Sequence, residues 1–180
     1  MRKVILFIFM LLISRANISR AQKSEKAPVP YDRFSVGIGA GFDYGGFGFN
    51  VTGYPQKNIG LFAGAGYAIA GLGFNGGIKY RILPGKMFSP YIVGMYGYNA
   101  AVAVTNSPSY NKLFYGPSAG AGLDLFSRTG SGYFSLAILV PFRSPDVNNY
   151  INELKNIYGV TFNNTLWPVG ISVGYRFIIK

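Results

Sequence analysis

Residues 59–81, IGLFAGAGYAIAGLGFNGGIKYR, largely alternate apolar side chains with glycine and a few polar residues. Successive residues of a β-strand point to opposite faces of the sheet, so this alternation predicts strands with one bulky face and one small-residue face. Ala70 and Gly71 interrupt the pattern, which predicts a tight turn and therefore a β-hairpin. The small-residue face of the second strand also carries Lys79 and Arg81.

The same period-two pattern extends in both directions from this hairpin and gives eight predicted strands. Lengths of about ten residues suit tilted strands that cross a bilayer. An even strand number brings both ends to the same side, and closure of the sheet would leave no unpaired edge in lipid. The predicted strands cover residues 33–44, 47–52, 59–69, 72–81, 88–101, 113–125, 134–142 and 167–177.

Composition indicates which face of these strands lies outside. Only 13% of residues are charged, whereas 17% are aromatic and 25 are Gly. An eight-stranded barrel encloses few large side chains, and a face of Gly, Ala and Ser is too poor in charge to meet water. We therefore expect the bulky face in lipid and the small residues in the lumen. A soluble eight-stranded barrel, with the bulky face enclosing a ligand, is the alternative.

The N-terminal region has the features of a secretory signal. Arg2 and Lys3 precede an apolar run over 4–13 that is too short to span a membrane as a helix. Ser19 and Ala21 are small residues at the positions that a signal peptidase requires, so cleavage before Gln22 is expected. The predicted organisation is a signal peptide at 1–21, a short lead-in at 22–31 and a barrel domain at 32–180.

Residue types that the chain lacks restrict its chemistry. There is no Cys and no His, which excludes disulfides, Cys- or His-ligated metals and His-dependent hydrolytic triads. We therefore predict no catalytic residues, no metal and no cofactor. Residues 71–76 match G-x-G-x-x-G, but a strand follows the motif instead of a helix, so we interpret it as a glycine-rich turn. The net charge of +11 comes from scattered basic residues, four of them within 1–20, so we expect no nucleic-acid binding.

The long connections indicate an orientation. With the N-terminus on the periplasmic side, the two long connections at 102–111 and 143–165 both lie outside. The second of these predicts a short helix, capped by Ser144 and started by Pro145. Its apolar face would cover the barrel mouth, or contact a partner or lipid, through Val147, Tyr150, Ile151 and Leu154. The predicted fold is thus an all-β, eight-stranded antiparallel up-and-down transmembrane β-barrel with a short helix in the last outer loop.

Charged residues on the small-residue face predict a cluster inside the barrel, near its periplasmic end. Charges in a lumen must be paired or hydrated. The cluster would form either a salt-bridge plug or an electropositive vestibule that attracts anions. Asp43 is predicted near the opposite end, too far from Asp124 for a paired-carboxylate acid/base site. The inward glycines would either leave a void or make room for aromatic rings such as Phe62. The predicted cluster comprises Arg33, Lys79, Arg81, Asp124 and Arg176.

The signal peptide, the glycine-rich alternating strands and the aromatic-rich final strand 169–177 resemble the small outer-membrane barrels typified by the OmpA transmembrane domain and OmpX. The resemblance implies a Gram-negative outer membrane, contact with outer-membrane lipid, and insertion by the barrel assembly machinery, which reads an aromatic residue of the last strand. Phe177 is that residue here, although three residues follow it.

The same resemblance implies a non-enzymatic protein with a structural or surface-interaction role in the cell envelope, in contact with an extracellular partner of unknown identity. A porin-like narrow channel or a small-solute-binding barrel is the alternative. Lipid-modifying barrel enzymes use His-assisted serine chemistry, which a chain without His cannot perform.

Overall fold

The computed structural model describes residues 32–104, 107–158, 160, 162 and 166–179. The predicted signal peptide and lead-in lie outside the described residues. The described chain forms a closed barrel of eight strands, each antiparallel to the next, with β1 completing the ring against β8. The strands are β1 (Phe34–Gly41), β2 (Gly46–Gly53), β3 (Ile59–Ala68), β4 (Gly71–Arg81), β5 (Phe88–Val102), β6 (Lys112–Phe126), β7 (Gly132–Pro141) and β8 (Gly170–Ile179). This confirms the predicted eight-stranded up-and-down architecture.

The two faces of the sheet divide as the alternation predicts. Large apolar side chains cover the outer face; Phe47, Leu72 and Tyr96 are 67%, 64% and 64% exposed. Polar and small residues face inward, where Asn50 and Asp124 are buried. The pairing registers explain this division, because residues directly opposite one another on neighbouring strands share a face. The expected bulky-out, small-in arrangement is confirmed.

The first strand ends earlier than predicted, and the last strand begins and ends later than predicted. β1 ends at Gly41, and Phe42–Tyr44 form a 3₁₀ turn instead of continuing the strand. That turn folds into the lumen, so Asp43 and Tyr44 are both buried. Gly45 follows with φ 68°, a conformation that favours glycine. At the other end of the sequence, Trp167 was predicted in the last strand but precedes β8, which begins at Gly170.

The β5–β6 hairpin extends beyond the rest of the barrel. Both strands have 15 residues, whereas the other six have 8 to 11. Pairing with β4 begins only at Asn75–Gly97, and pairing with β7 only at Ser118–Pro141. The register between β5 and β6 shifts between Tyr98 and Ala100. Such a bulge changes which face the following residues occupy, and Asn99 and Ala100 are accordingly both buried.

A single α-helix within the described residues, α1 (Pro145–Asn156), packs against this extension. The Ser144 side chain accepts a hydrogen bond from the Asp146 backbone N–H at 3.2 Å, as expected of an N-cap. The predicted helix is therefore confirmed. In the part of the chain that the structure describes, no helix has the length and hydropathy to cross a bilayer.

Candidate functional site: the barrel lumen

Asp124 is the centre of a buried polar network in the lumen. Its carboxylate accepts hydrogen bonds from Lys79 Nζ at 2.7 Å, Arg81 Nε at 2.9 Å and Ser135 Oγ at 2.8 Å. Lys79 and Arg81 are two residues apart on β4 and therefore point the same way. Asp124 lies on β6, directly opposite Ser135 of β7. The network thus joins side chains from three strands across the barrel.

Arg81 also binds a second carboxylate. Its guanidinium donates to both oxygens of Asp32, at 2.5 and 3.1 Å, in a two-pronged arrangement. The rings of Tyr54 and Tyr133 flank the guanidinium carbon, with centroids at 3.9 and 4.9 Å. Lys79 is similarly placed over the Tyr91 ring, at 3.6 Å from its centroid. Aromatic faces are favourable surroundings for such buried cations.

Arg176 forms a second polar group next to the first. It donates to Asp43 Oδ2 at 3.0 Å, to Thr52 Oγ1 at 2.6 Å, and to Asn50 Oδ1. The Asn50 amide in turn donates to the Asp43 carbonyl at 2.5 Å. These contacts depend on the inward 3₁₀ turn, because that turn carries Asp43 down to Arg176.

The structure therefore changes the membership of the predicted cluster. Lys79, Arg81 and Asp124 meet directly, and Arg176 lies in the adjacent group. Arg33 was predicted in the lumen, but its side chain is exposed. The chain bends at Arg33 before β1 begins, so strand alternation does not apply there and Asp32 is buried instead.

Two acidic residues of the lumen were missed as members of this cluster. Asp32 precedes the first predicted strand, so strand alternation does not predict that its side chain lies inside. Asp43 was predicted near the opposite end of the barrel, which is wrong, because the 3₁₀ turn brings it to Arg176. With both included, three buried acids accompany three buried bases. This balance removes the basis for an electropositive vestibule.

Inward aromatic rings lie over inward glycines. A Cβ added to Gly39 would come within 2.7 Å of Tyr44 Cζ, and one added to Gly60 within 2.7 Å of Tyr54 Cε1. Phe62 packs in the lumen with Tyr91, among other residues. The glycines therefore make room for rings and do not leave a wide void.

The cavity enclosed between the two polar groups of the lumen is small. The enclosed cavity bordered by Asp43, Lys79 and Arg176 has about 10 Å³, enough for at most a single water molecule. Within the described residues, no group of three or more acidic side chains could hold a metal ion. The lumen is thus packed and charge-balanced through its middle.

The predicted helix face covers the extended hairpin. Val147 and Leu154 are buried against Ala100, Val102 and Phe114, and the half-buried Tyr150 and Ile151 pack on the same cluster. The Tyr150 hydroxyl donates to the Tyr110 carbonyl at 2.8 Å. Burial raises the pKa of this phenol, and the nearby Glu153 carboxylate acts in the same direction. The hydroxyl therefore stays a hydrogen-bond donor at neutral pH.

An open groove of about 560 Å³ indents the barrel wall, and most of the residues that line it face outward. Ala63 and Ala65 of β3 border it, with larger rings such as Phe49, Phe74 and Tyr96 around them. The small alanine side chains leave the indentation, and its lining is almost entirely apolar.

Comparisons with known proteins add little beyond the architecture. No protein-family model matches the sequence, and no curated protein matches it. The expected resemblance to small eight-stranded barrels is confirmed in strand number, closure and strand order. Among solved structures, the chain is similar to the N-terminal β-barrel domain of Pseudomonas aeruginosa OprF, with 12% sequence identity and a TM-score of 0.48; the match covers 80% of this chain and 96% of that one.

Proposed function

We propose that the chain is a non-enzymatic, integral β-barrel protein of a bacterial outer membrane, exported by a cleaved signal peptide, with a structural or surface-interaction role. The observation that carries the proposal is the outer face of the barrel. Exposed large apolar side chains occur on all eight strands, for example Phe49, Leu61 and Ile138. Soluble monomers rarely expose continuous apolar surface beyond a few hundred Å², whereas a barrel in lipid requires it.

The backbone supports the same proposal. Hydrocarbon offers no hydrogen-bond partners, so a spanning sheet must satisfy its own N–H and C=O groups. The closed ring of ladders from β1 to β8 does this around the full circumference. In lipid, the outward-facing apolar groove beside Ala63 and Ala65 would be filled by acyl chains.

The packed lumen disfavours the narrow-channel alternative. A solute would have to displace the Asp124 and Arg176 networks, whose ion pairs are almost fully buried. Each lumen carboxylate is also held by a cation, which leaves no free acid/base pair for hydrolysis. Any role in recognition then falls to α1 and the end of the β5–β6 hairpin that it covers. We call this unit the α1 lobe; it lies outside the barrel wall, facing an extracellular partner.

Cell fractionation with heat-modifiable gel migration tests the proposal. The full chain should be recovered with outer membranes, and unboiled protein should migrate differently from boiled protein, because a folded barrel resists detergent denaturation. Recovery in a water-soluble periplasmic fraction would refute it and favour a soluble carrier.

Conductance in planar bilayers separates the two membrane roles. Purified, folded protein should give no steady ion conductance above that of the lipid alone. Reproducible single-channel steps would replace the structural role with the channel.

A further inference from the structure

Net charge is unevenly distributed over the described part of the barrel. The six buried lumen charges, three acids and three bases, cancel. We call the end with the β5–β6 and β7–β8 connections the loop end, and the end with the β2–β3, β4–β5 and β6–β7 turns the short-turn end. The loop end carries three cations and two acids: Lys112, Arg143, Lys155, Asp146 and Glu153. The short-turn end carries four exposed cations and, among the described residues, no exposed acid. We call these four the cationic rim: Arg33, Lys57, Lys86 and Arg128.

The cationic rim surrounds the barrel. Arg33 directly precedes β1, Lys57 lies between β2 and β3, Lys86 between β4 and β5, and Arg128 between β6 and β7. In a closed antiparallel ring these positions all fall at one end, roughly two strands apart. With strands about 4.8 Å apart, neighbouring cations are spaced at about 10 Å around the circumference. None of the four takes part in an ion pair with another described residue.

The cationic rim also borders the apolar belt, which is the band of exposed large apolar side chains on the outer face of the barrel. Phe34 follows Arg33 and is 43% exposed, while Phe88 lies two residues after Lys86 and is 61% exposed. Long basic side chains at such a border extend their methylene groups along apolar surface and place the charge at headgroup level. The rim is therefore positioned where lipid phosphates would lie if the belt is in hydrocarbon.

We propose that the cationic rim binds the phosphate groups of anionic lipids in the leaflet that surrounds the short-turn end of the barrel. This inference rests on the proposed membrane location. A leaflet reaches all sides of a barrel at once, whereas a rigid acidic partner would contact only part of the circumference. Charge complementarity favours this occupant because none of the described acids is exposed beside the rim, and each basic residue near an anionic surface contributes about 1 kcal/mol.

The test measures lipid selectivity of the full folded chain in vesicles. Spin-labelled phosphatidylglycerol and phosphatidylcholine report, by the immobilised fraction of each, how strongly each lipid associates with the barrel. The natural chain should prefer phosphatidylglycerol by about fivefold at contacted sites, the factor equivalent to about 1 kcal/mol. Screening by added salt should reduce the preference.

Two matched double variants localise the effect. Lys57→Gln with Lys86→Gln removes two rim cations and should lower the preference by about half or more. Lys112→Gln with Lys155→Gln removes the same charge from the loop end and should leave the preference largely unchanged. Replacing all four rim cations with Gln should bring the preference close to one.

The outcomes distinguish this inference from the proposed function. If the natural chain does not insert into vesicles as a heat-modifiable barrel, the membrane proposal fails. If it inserts but associates equally with both lipids, or if only the loop-end variant loses the preference, the rim proposal fails alone. A much larger loss of the preference in sodium phosphate than in sodium chloride of equal ionic strength would identify free phosphate as the ligand and overturn the lipid assignment.

Discussion

Replacing Asp124 with Ala should destabilise the barrel more than any exposed substitution. Asp124 is completely buried and holds both Lys79 and Arg81. Removing one partner of a buried ion pair costs about 3–5 kcal/mol, because a charge is left uncompensated. Arg81 keeps its two hydrogen bonds to Asp32. Lys79 keeps the Ser135 hydroxyl and the faces of the Tyr91 and Tyr133 rings, which partly compensate its charge. We therefore expect a loss near the lower limit, about 3 kcal/mol.

The measurement is urea unfolding of the full chain in vesicles, followed by the folded fraction on unboiled gels. A second substitution, Lys79→Met, separates uncompensated charge from general disruption. In the Asp124→Ala background, Lys79→Met removes the ammonium group that has lost its carboxylate partner. It should therefore restore at least about 1.5 kcal/mol of the free energy of unfolding, which is within the range of interaction energies between residues in direct contact. Glu153→Ala, on the exposed side of α1, is the control and should change stability by less than about 0.5 kcal/mol.

Two results would refute this reasoning. If Asp124→Ala unfolds within about 0.5 kcal/mol of the natural chain, as an exposed substitution does, the lumen network does not stabilise the barrel. If Lys79→Met lowers stability further in the Asp124→Ala background, the loss arises from packing and not from an unpaired charge.

Three other substitutions, the first with a matched control, test separate parts of the structure. Gly174→Ala would place a Cβ against the Tyr44 ring and should cost about 1–3 kcal/mol by overpacking, whereas Gly94→Ala has open space and should be nearly neutral in the same unfolding assay; equal effects would contradict the packed lumen. Leu154→Ala should lower the stability of the α1 lobe by about 2–5 kcal/mol. Hydrogen exchange should then become faster in α1 and stay unchanged in the barrel strands; equal acceleration in both would show that the lobe and the barrel unfold together. Arg81→Lys keeps the charge but loses the two-pronged contact with Asp32, so it should cost about 1–3 kcal/mol in urea unfolding; an unchanged midpoint would mean that charge alone suffices.

The alternation of bulky apolar and small residues was sufficient to predict the barrel, because each strand has one face in the lumen. A period of two specifies a face at every residue, which is why the sequence predicts that Lys79, Arg81 and Asp124 share the lumen. The α1 helix was predictable for a similar reason, since its cap and apolar spacing are local signals.

Alternation fails where a strand ends. Arg33 continues the pattern in sequence but lies in a bend, so its predicted direction was wrong and Asp32 occupies the lumen instead. Residues 42–44 also continue the pattern, yet the chain turns inward there. That turn depends on contacts from other strands, such as Arg176 with Asp43 and Gly174 with Tyr44. Such long-range packing has no signature in local sequence.

The central claim is that the bulky face of the barrel lies in lipid and the small-residue face in a packed lumen. The chain has no cysteine, so single-cysteine variants can carry a spin label at one position each along β7. In membranes, labels at Leu136, Ile138 and Val140 should be accessible to oxygen, which partitions into lipid, and protected from a water-soluble nickel complex. A label at Ala137, facing the lumen, should be protected from both. Access of the nickel complex to the three outward positions would contradict the claim and place the bulky face in water.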